Sequence, residues 1–183
     1  MPSTPADRIV LRRLAPDDVP VVAQFEREIA EISFPDDPVT DPAFYERKLQ
    51  QAAGDRKSEP MVAVVGDRIV AWAWIGVREN FITHERYGEL RSFYVVADFR
   101  GTGYAMKLMR ACLDHCAKNG LARLSGRTHA GNEAMQSVYE MFGFEAKHVV
   151  YERLVAPAER PTRPRPKPGE GLFRRRRGRK KPR

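Results

Sequence analysis

The spacing of hydrophobic and polar positions changes abruptly in the middle of the chain. Glu89 to Val96 (ELRSFYVV) is dense in β-branched and aromatic residues and predicts a buried strand. From Gly103 onward the apolar residues Ala105, Leu108, Met109, Cys112, Leu113 and Cys116 recur at spacings of three and four, which predicts an amphipathic helix. Ala97 to Thr102 joins the two as a short polar turn. The other elements are arranged around this unit. Arg8 to Arg13 predicts a first strand. Asp17 to Glu31 predicts a helix with Val21, Val22, Phe25 and Ile29 inward, broken by Phe34-Pro35-Asp36-Asp37-Pro38. Asp41 caps a second helix from Pro42 to Ala52. Met61 to Val65 and Arg68 to Val77 predict a hairpin about Gly66-Asp67, with Trp72 and Trp74 on one face. Arg78 to Tyr87 predicts a loop. After the central helix come a strand at Leu121 to Thr128, a helix capped by Asn132 that runs to Met141, and a final strand from Phe144 to Val155. The order β-α-α-β-β-β-α-β-α-β predicts an α/β (α+β) domain, a mixed sheet with helices on both faces.

Charge divides the chain into two parts. The 183 residues carry a net charge of +8, yet the last 28 hold 12 Lys and Arg against two Glu, and the first 155 hold 20 Lys and Arg against 22 Asp and Glu. Residues 1 to 155 are therefore expected to form one mildly acidic domain. Residues 156 to 183, rich in Pro and nearly free of apolar side chains, are expected to be a disordered basic tail. The run 174 to 183 (RRRRGRKKPR) is the only part that invites a polyanion such as RNA, DNA or the ribosome. No apolar run is long enough to span a bilayer and no signal peptide is evident, so a cytoplasmic protein is expected. Cys112 and Cys116 share one helix face at apolar positions. They read as core residues, since two ligands do not close a metal site and no metal is expected.

A strand entering a helix through a Gly-rich turn aims free backbone N–H groups and the positive helix end at one point, which suits a phosphate. Arg100 adds a cation there. Two common phosphate loops fit poorly: Met106 stands where a dinucleotide fingerprint needs a third small residue, and no Gly-Lys-Ser/Thr follows. The run Arg100-x-x-Gly103-x-Ala105 fits better. Together with Asn132, Tyr139 and Gly143-Phe144 downstream, it resembles the acyl-CoA loop of the GNAT N-acetyltransferase superfamily. The resemblance covers roughly residues 8 to 155. It implies the GNAT acyl-CoA N-acyltransferase fold, with six to seven strands and commonly a longer final hairpin than this sequence offers.

The resemblance also implies roles. Acetyl-CoA would be the acyl donor, attacked directly by a primary amine in a ternary complex. Arg100, Gly101, Thr102, Gly103, Tyr104 and Ala105 would hold its pyrophosphate, with Gly needed because a Cβ would obstruct close backbone approach. Phe93, Tyr94 and Val95 would pair with the pantetheine beside a bulge that splays the strand, and a backbone N–H near Tyr94 or Val95 would polarise the carbonyl. Asn132 would contact the cofactor as well as cap its helix. Glu89 is the candidate general base. The alternative for Glu89 is a strand residue paired with Arg91 or Arg86. Tyr139 matches the tyrosine that protonates the leaving thiolate, with a core aromatic as its alternative.

The acceptor is expected to be cationic, because Asp17 to Glu46 holds nine acids and one Arg and lies where the family walls its acceptor cleft. Two solvated helix faces are the plain alternative. A homodimer is left open. The competing function is a nucleic-acid- or ribosome-binding protein that acts through the basic tail on a weakly active or inactive GNAT fold.

Overall fold

The computed structural model describes residues 9 to 153, and the basic run 174 to 183, expected to meet a polyanion, lies outside them. The elements in chain order are β1 (Val10–Arg13), α1 (Val19–Ser33), α2 (Pro42–Gly54), β2 (Ser58–Val65), β3 (Arg68–Glu79), β4 (Arg86–Val95), α3 (Tyr104–Lys118), β5 (Leu124–Gly126) and α4 (Glu133–Met141). Short 3-10 turns at Pro16–Asp18 and Ala97–Phe99 lead into α1 and away from β4. The strands form one sheet in the order β1-β2-β3-β4-β5. Its first four strands are antiparallel neighbours, and β5 pairs parallel to β4 after the α3 crossover.

Each face of the sheet carries its own core. Side chains alternate along a strand, so Trp72 and Trp74 point to one face while Ala71, Ala73 and Ile75 point to the other. On the first face Val22, Ala23 and Phe25 of α1 and Tyr45 and Leu49 of α2 cover Trp72, Trp74 and Tyr94. On the second, Leu108, Met109, Cys112 and Cys116 of α3 cover Val70, Ala73, Ile75 and Leu90. The inner face of α1 differs from the expected one at two positions, one apolar and one charged. Val21 is exposed and Glu26 is buried in the place of an apolar residue. That carboxylate is matched: it accepts from Trp72 Nε1 at 2.9 Å and from Lys48 Nζ at 3.0 Å.

Two stretches depart from the sequence expectation. The loop expected over Arg78 to Tyr87 shrinks to residues 80 to 85, because β3 and β4 keep pairing through Arg78↔Tyr87 and Glu79↔Arg86. Polar residues there hide a hairpin end that is held by opposite charges across the strands and by Asn80 Oδ1, which accepts from the N–H of Ile82 and Thr83. At the other end, the sheet has five strands among the described residues rather than six to seven. Residues 144 to 153 form no strand. An isolated strand needs a partner for its backbone groups, and the short segment after Gly143 offers no returning hairpin. The strand expected over Leu121 to Thr128 is confined to Leu124–Gly126. Residues 146 to 153 form a unit separate from the residues up to Glu145. No helix among the described residues is long and apolar enough to cross a membrane.

Entry into α1 depends on Asp18. Its carboxylate takes Arg12 Nη1 at 2.5 Å and Nη2 at 2.9 Å, and it accepts the Ala15 N–H at 2.7 Å. The Arg12 hydrogen bonds hold its pKa below the ordinary carboxylate value, against the opposing effect of burial. A depressed folded pKa stabilises the fold above the unfolded value of about 3.9, and that contribution is lost as pH falls through the folded value. Urea denaturation at a series of pH values should therefore show a steep acid limb below about pH 4 in the parent that is shallower in Asp18→Asn.

Candidate active site

The site begins where β4 and β5 part. They pair only at Gly88↔Leu124, Glu89↔Ser125 and Leu90↔Gly126. Immediately beyond, β4 carries a bulge: Trp74 pairs with Ser92 and Ile75 with Leu90, so Arg91 is the extra residue. From there to Val95 one edge of β4 is open. A cleft with about 90 Å³ of free space lies along it, lined by β4 from Leu90 to Tyr94, by Ile29, Ile32 and Ser33 of α1, and by Arg127, Thr128, Asn132, Met135 and Tyr139.

Strand alternation shows which backbone groups face this opening. Val96 N–H donates to Val70 O of β3 at 2.9 Å, so the N–H groups of Val95 and Phe93 point the other way, toward the open edge of β4. Tyr94 therefore turns its backbone N–H to β3 and contributes a side chain instead. Its ring stacks on Phe25 with centroids 4.8 Å apart, and its hydroxyl donates to Glu28 of α1. Burial and this bond to a carboxylate push the Tyr94 pKa up to about 12.

The turn after β4 has the form expected of an anion cradle. Gly101 and Gly103 adopt left-handed φ values of 75° and 86°, and Gly103 is the N-cap of α3. The backbone N–H groups from Gly101 through Met106 donate to no protein group. A Cβ on either glycine would meet no protein atom within 4 Å, so within the protein the requirement for Gly comes from φ. Thr102 Oγ1 donates to Phe99 O at 2.5 Å and ties the turn down. Arg100 folds back: its Nε donates to Val95 O at 2.9 Å and its guanidinium lies over the Tyr94 ring. It closes the strand end and places its charge between cleft and turn.

Tyr139 and Asn132 sit across the cleft on α4. Asn132 Oδ1 accepts from Met135 N–H at 3.1 Å, the expected cap. The Tyr139 ring lies 4.9 Å from that of Phe144, and its hydroxyl rests over Gly126, where a Cβ would lie 2.1 Å from it. The absence of a side chain on β5 at this point is what admits the phenol. Burial pushes its pKa up to about 12, so it stays protonated near neutrality.

Glu89 is on the first face of the sheet and serves as an anchor. Its Oε2 accepts from Arg78 Nε at 2.7 Å and Arg91 Nε at 3.2 Å. Burial raises its pKa, but the two arginines outweigh that and hold it below the ordinary value. In α1 and the turn before it, Asp18 is paired with Arg12, Glu26 with Lys48 and Trp72, and Glu31 with Arg27 at 3.8 Å, while Glu28 accepts from the neutral Tyr94 hydroxyl. His84 contacts Glu79, and His129 accepts from Gly131 N–H. Both stand outside the cleft lining. Cys112 and Cys116 are buried against β3 and β4, with the Cys112 thiol pushed far up by desolvation.

A profile of the acetyltransferase (GNAT) family covers residues 24 to 144. The chain belongs to that family. A stretch of 83 residues is 30% identical to mycothiol acetyltransferase of Kocuria rhizophila. It covers 45% of this chain but only 27% of that enzyme. Among solved structures, ribosomal-protein-alanine N-acetyltransferase from Brucella melitensis biovar Abortus 2308 aligns with a TM-score of 0.65 at 21% identity, over 81% of this chain and 99% of that one. AAC(6')-Iy, solved with a CoA-based bisubstrate analog, aligns with a TM-score of 0.64 at 16% identity, over 82% and 100%. At these identities the structural likeness establishes the fold. The GNAT family is a family of acetyltransferases.

Sequence reasoning missed Glu28, Arg78 and the cleft wall of Ile29, Ile32 and Ser33. Glu28 shares α1 with several other acids, and only the approach of Tyr94 distinguishes it. The left-handed turn yields a direct test: Gly103→Ala should lose about 1–2 kcal/mol of stability and Gly103→Asn less, measured by urea denaturation, because φ alone and no steric contact separates them.

Proposed function

We propose that this GNAT acyltransferase moves an acetyl group from acetyl-CoA to a primary amine by direct attack within a ternary complex. The observation that carries this reading is that β4, with its open edge, leads directly into a turn whose N–H groups from Gly101 to Met106 are unused. Arg100, Gly101, Thr102, Gly103, Tyr104 and Ala105 hold the pyrophosphate of the donor. Their N–H groups and the positive end of α3 supply the attraction, and the left-handed glycines set the curvature. Phe93 and Val95 offer the backbone groups for an extended pantetheine. The Val95 N–H is placed to bind a carbonyl oxygen as it gains charge. Asn132 borders the same channel.

Acetyl-CoA supplies a thioester, whose acyl group passes to the amine nitrogen and whose sulfur leaves as a thiol. Tyr139 provides the proton or hydrogen bond for that sulfur. An ammonium near pKa ~10.4 must first lose a proton. Glu89, named for this role from the sequence, has one oxygen committed to two guanidinium groups, which weakens it as a base. Glu28, paired to the cleft-lining Tyr94 hydroxyl, has no such cation on it and is the better-placed acceptor. The amine reaches the cleft from the α1 side, past Ile29 and Ser33.

Calorimetric titration of the full chain with acetyl-CoA should give micromolar binding that is lost in Gly103→Asp. A folded parent that binds none would overturn the donor assignment. In turnover assays Tyr139→Phe should lower kcat roughly tenfold to a hundredfold with acetyl-CoA affinity unchanged. Because its pKa is about 12, the parent should show no alkaline loss of kcat attributable to Tyr139 up to about pH 10. An unaltered kcat in the variant would return Tyr139 to a packing role.

A further inference from the structure

The β4 bulge also places a cation in the cleft. Among the described residues the charged groups that line it are Arg91 and Arg127, and no acid does. Arg91 is held in a defined pose. Its guanidinium lies 5.1 Å over the Trp74 ring, and Lys48 Nζ lies at the same distance from that ring. Its Nε is bound to Glu89, which also takes Arg78 Nε. The pose requires glycine on the neighbouring strand, since a Cβ on Gly76 would lie 2.4 Å from Arg91 Cζ. Both arginines spend only Nε on Glu89, and their terminal Nη groups have no protein partner among the described residues. Two guanidinium groups against one carboxylate leave the cluster with a net positive charge.

We propose that the acceptor amine also carries a carboxylate, which Arg91 receives through its free Nη pair while Arg78 adds to the field. This rests on the acetyl-transfer reading above and names its acceptor class: amino-acid-like zwitterions. A planar guanidinium with both Nη atoms free matches a carboxylate bidentately, and stacking on Trp74 fixes its plane before the ligand arrives. Glu89 is a positioning residue that orients Arg91 by its Nε and leaves both Nη groups unspent. The ammonium end of the acceptor then lies toward Tyr94 and Glu28. Of the nine acids between Asp17 and Glu46, Asp18, Glu26 and Glu31 are paired with cations and none of the nine lines the cleft. The charge that remains in the lining is positive.

The test uses the full chain with glycine, leucine, β-alanine and γ-aminobutyrate, each against its own primary amide, plus spermidine as an amine without a carboxylate. Two readouts are taken: kcat/KM for acetylation, and the tryptophan emission change on titration without acetyl-CoA, which reports on the Arg91–Trp74 stack. At least one acid should exceed its amide in both. Arg91→Gln should reduce that preference roughly ten- to hundredfold with acetyl-CoA affinity unchanged, and Arg91→Lys should retain part of it. Gly76→Ala should raise KM for the preferred acid and leave its amide unaffected, an effect that a general loss of stability would not produce. Equal use of acids and amides, faster use of spermidine, or a preference that survives Arg91→Gln would overturn the proposal. If acetyl-CoA fails to bind while Arg91-dependent emission changes with the acids persist, the donor assignment fails and the anion site stands. If acetyl-CoA binds and acids equal amides, the anion site alone fails.

Discussion

One extra residue in β4 determines how this molecule can work. A strand flanked on both sides by regular ladders has no backbone group to spare. The bulge at Arg91 interrupts the ladder to β3, and just there the short parallel pairing with β5 ends. The backbone from Arg91 to Val95 is thereby freed on one side without leaving the sheet on the other. The cost of those unpaired groups is offset by the two cores behind them. The first face is sealed by α1 and α2 over Trp72, and the second by α3 over Ile75 and Leu90. The cleft is an opening in a rigid wall, and the groups that border it are held by packing on both sides.

The same bulge reverses the alternation of side chains. Arg91 and Ser92 both oppose Trp74, so a charged side chain comes to lie on an apolar face. The structure accommodates it by stacking it on an indole and binding its Nε to Glu89. Glu26, buried beneath Lys48 and the Trp72 indole, follows the same logic. The buried acids Asp18 and Glu26 each have a cationic partner, whereas Arg78 and Arg91 share one carboxylate, so the field is shaped by groups whose hydrogen-bonding capacity exceeds their partners.

Much of this could be read from the sequence. The central strand, turn and helix follow from the change of period between Val96 and Gly103, and α2 and α4 from their Asp41 and Asn132 caps, which both form. Asn132 and Tyr139 line one cleft, and Gly101 and Gly103 take the left-handed φ values of the turn after β4. The rest depended on tertiary placement. A bulge leaves no local signature, so the direction of Arg91 could not be known, nor that Glu89 would be bound from two strands. Glu28 is one acid among many until Tyr94 reaches it. The hairpin end at Arg78 to Arg86 was hidden because its stabilising pairs are polar, and the short β5 because its pairing is limited by how far β4 runs before it splays.

The two cysteines have a practical consequence. Cys112 and Cys116 are the chain's only thiols, and both lie on the buried face of α3, with exposures of 0% and 4%. Thiolate, not thiol, attacks electrophilic reagents, and desolvation suppresses the thiolate of Cys112 further. The folded protein is therefore nearly silent toward a thiol-selective chromophore. Under the proposed acetyl transfer, any thiol that such a reagent detects during turnover would come from the leaving group of the donor, so the protein's own architecture would permit a continuous optical record without a protein background.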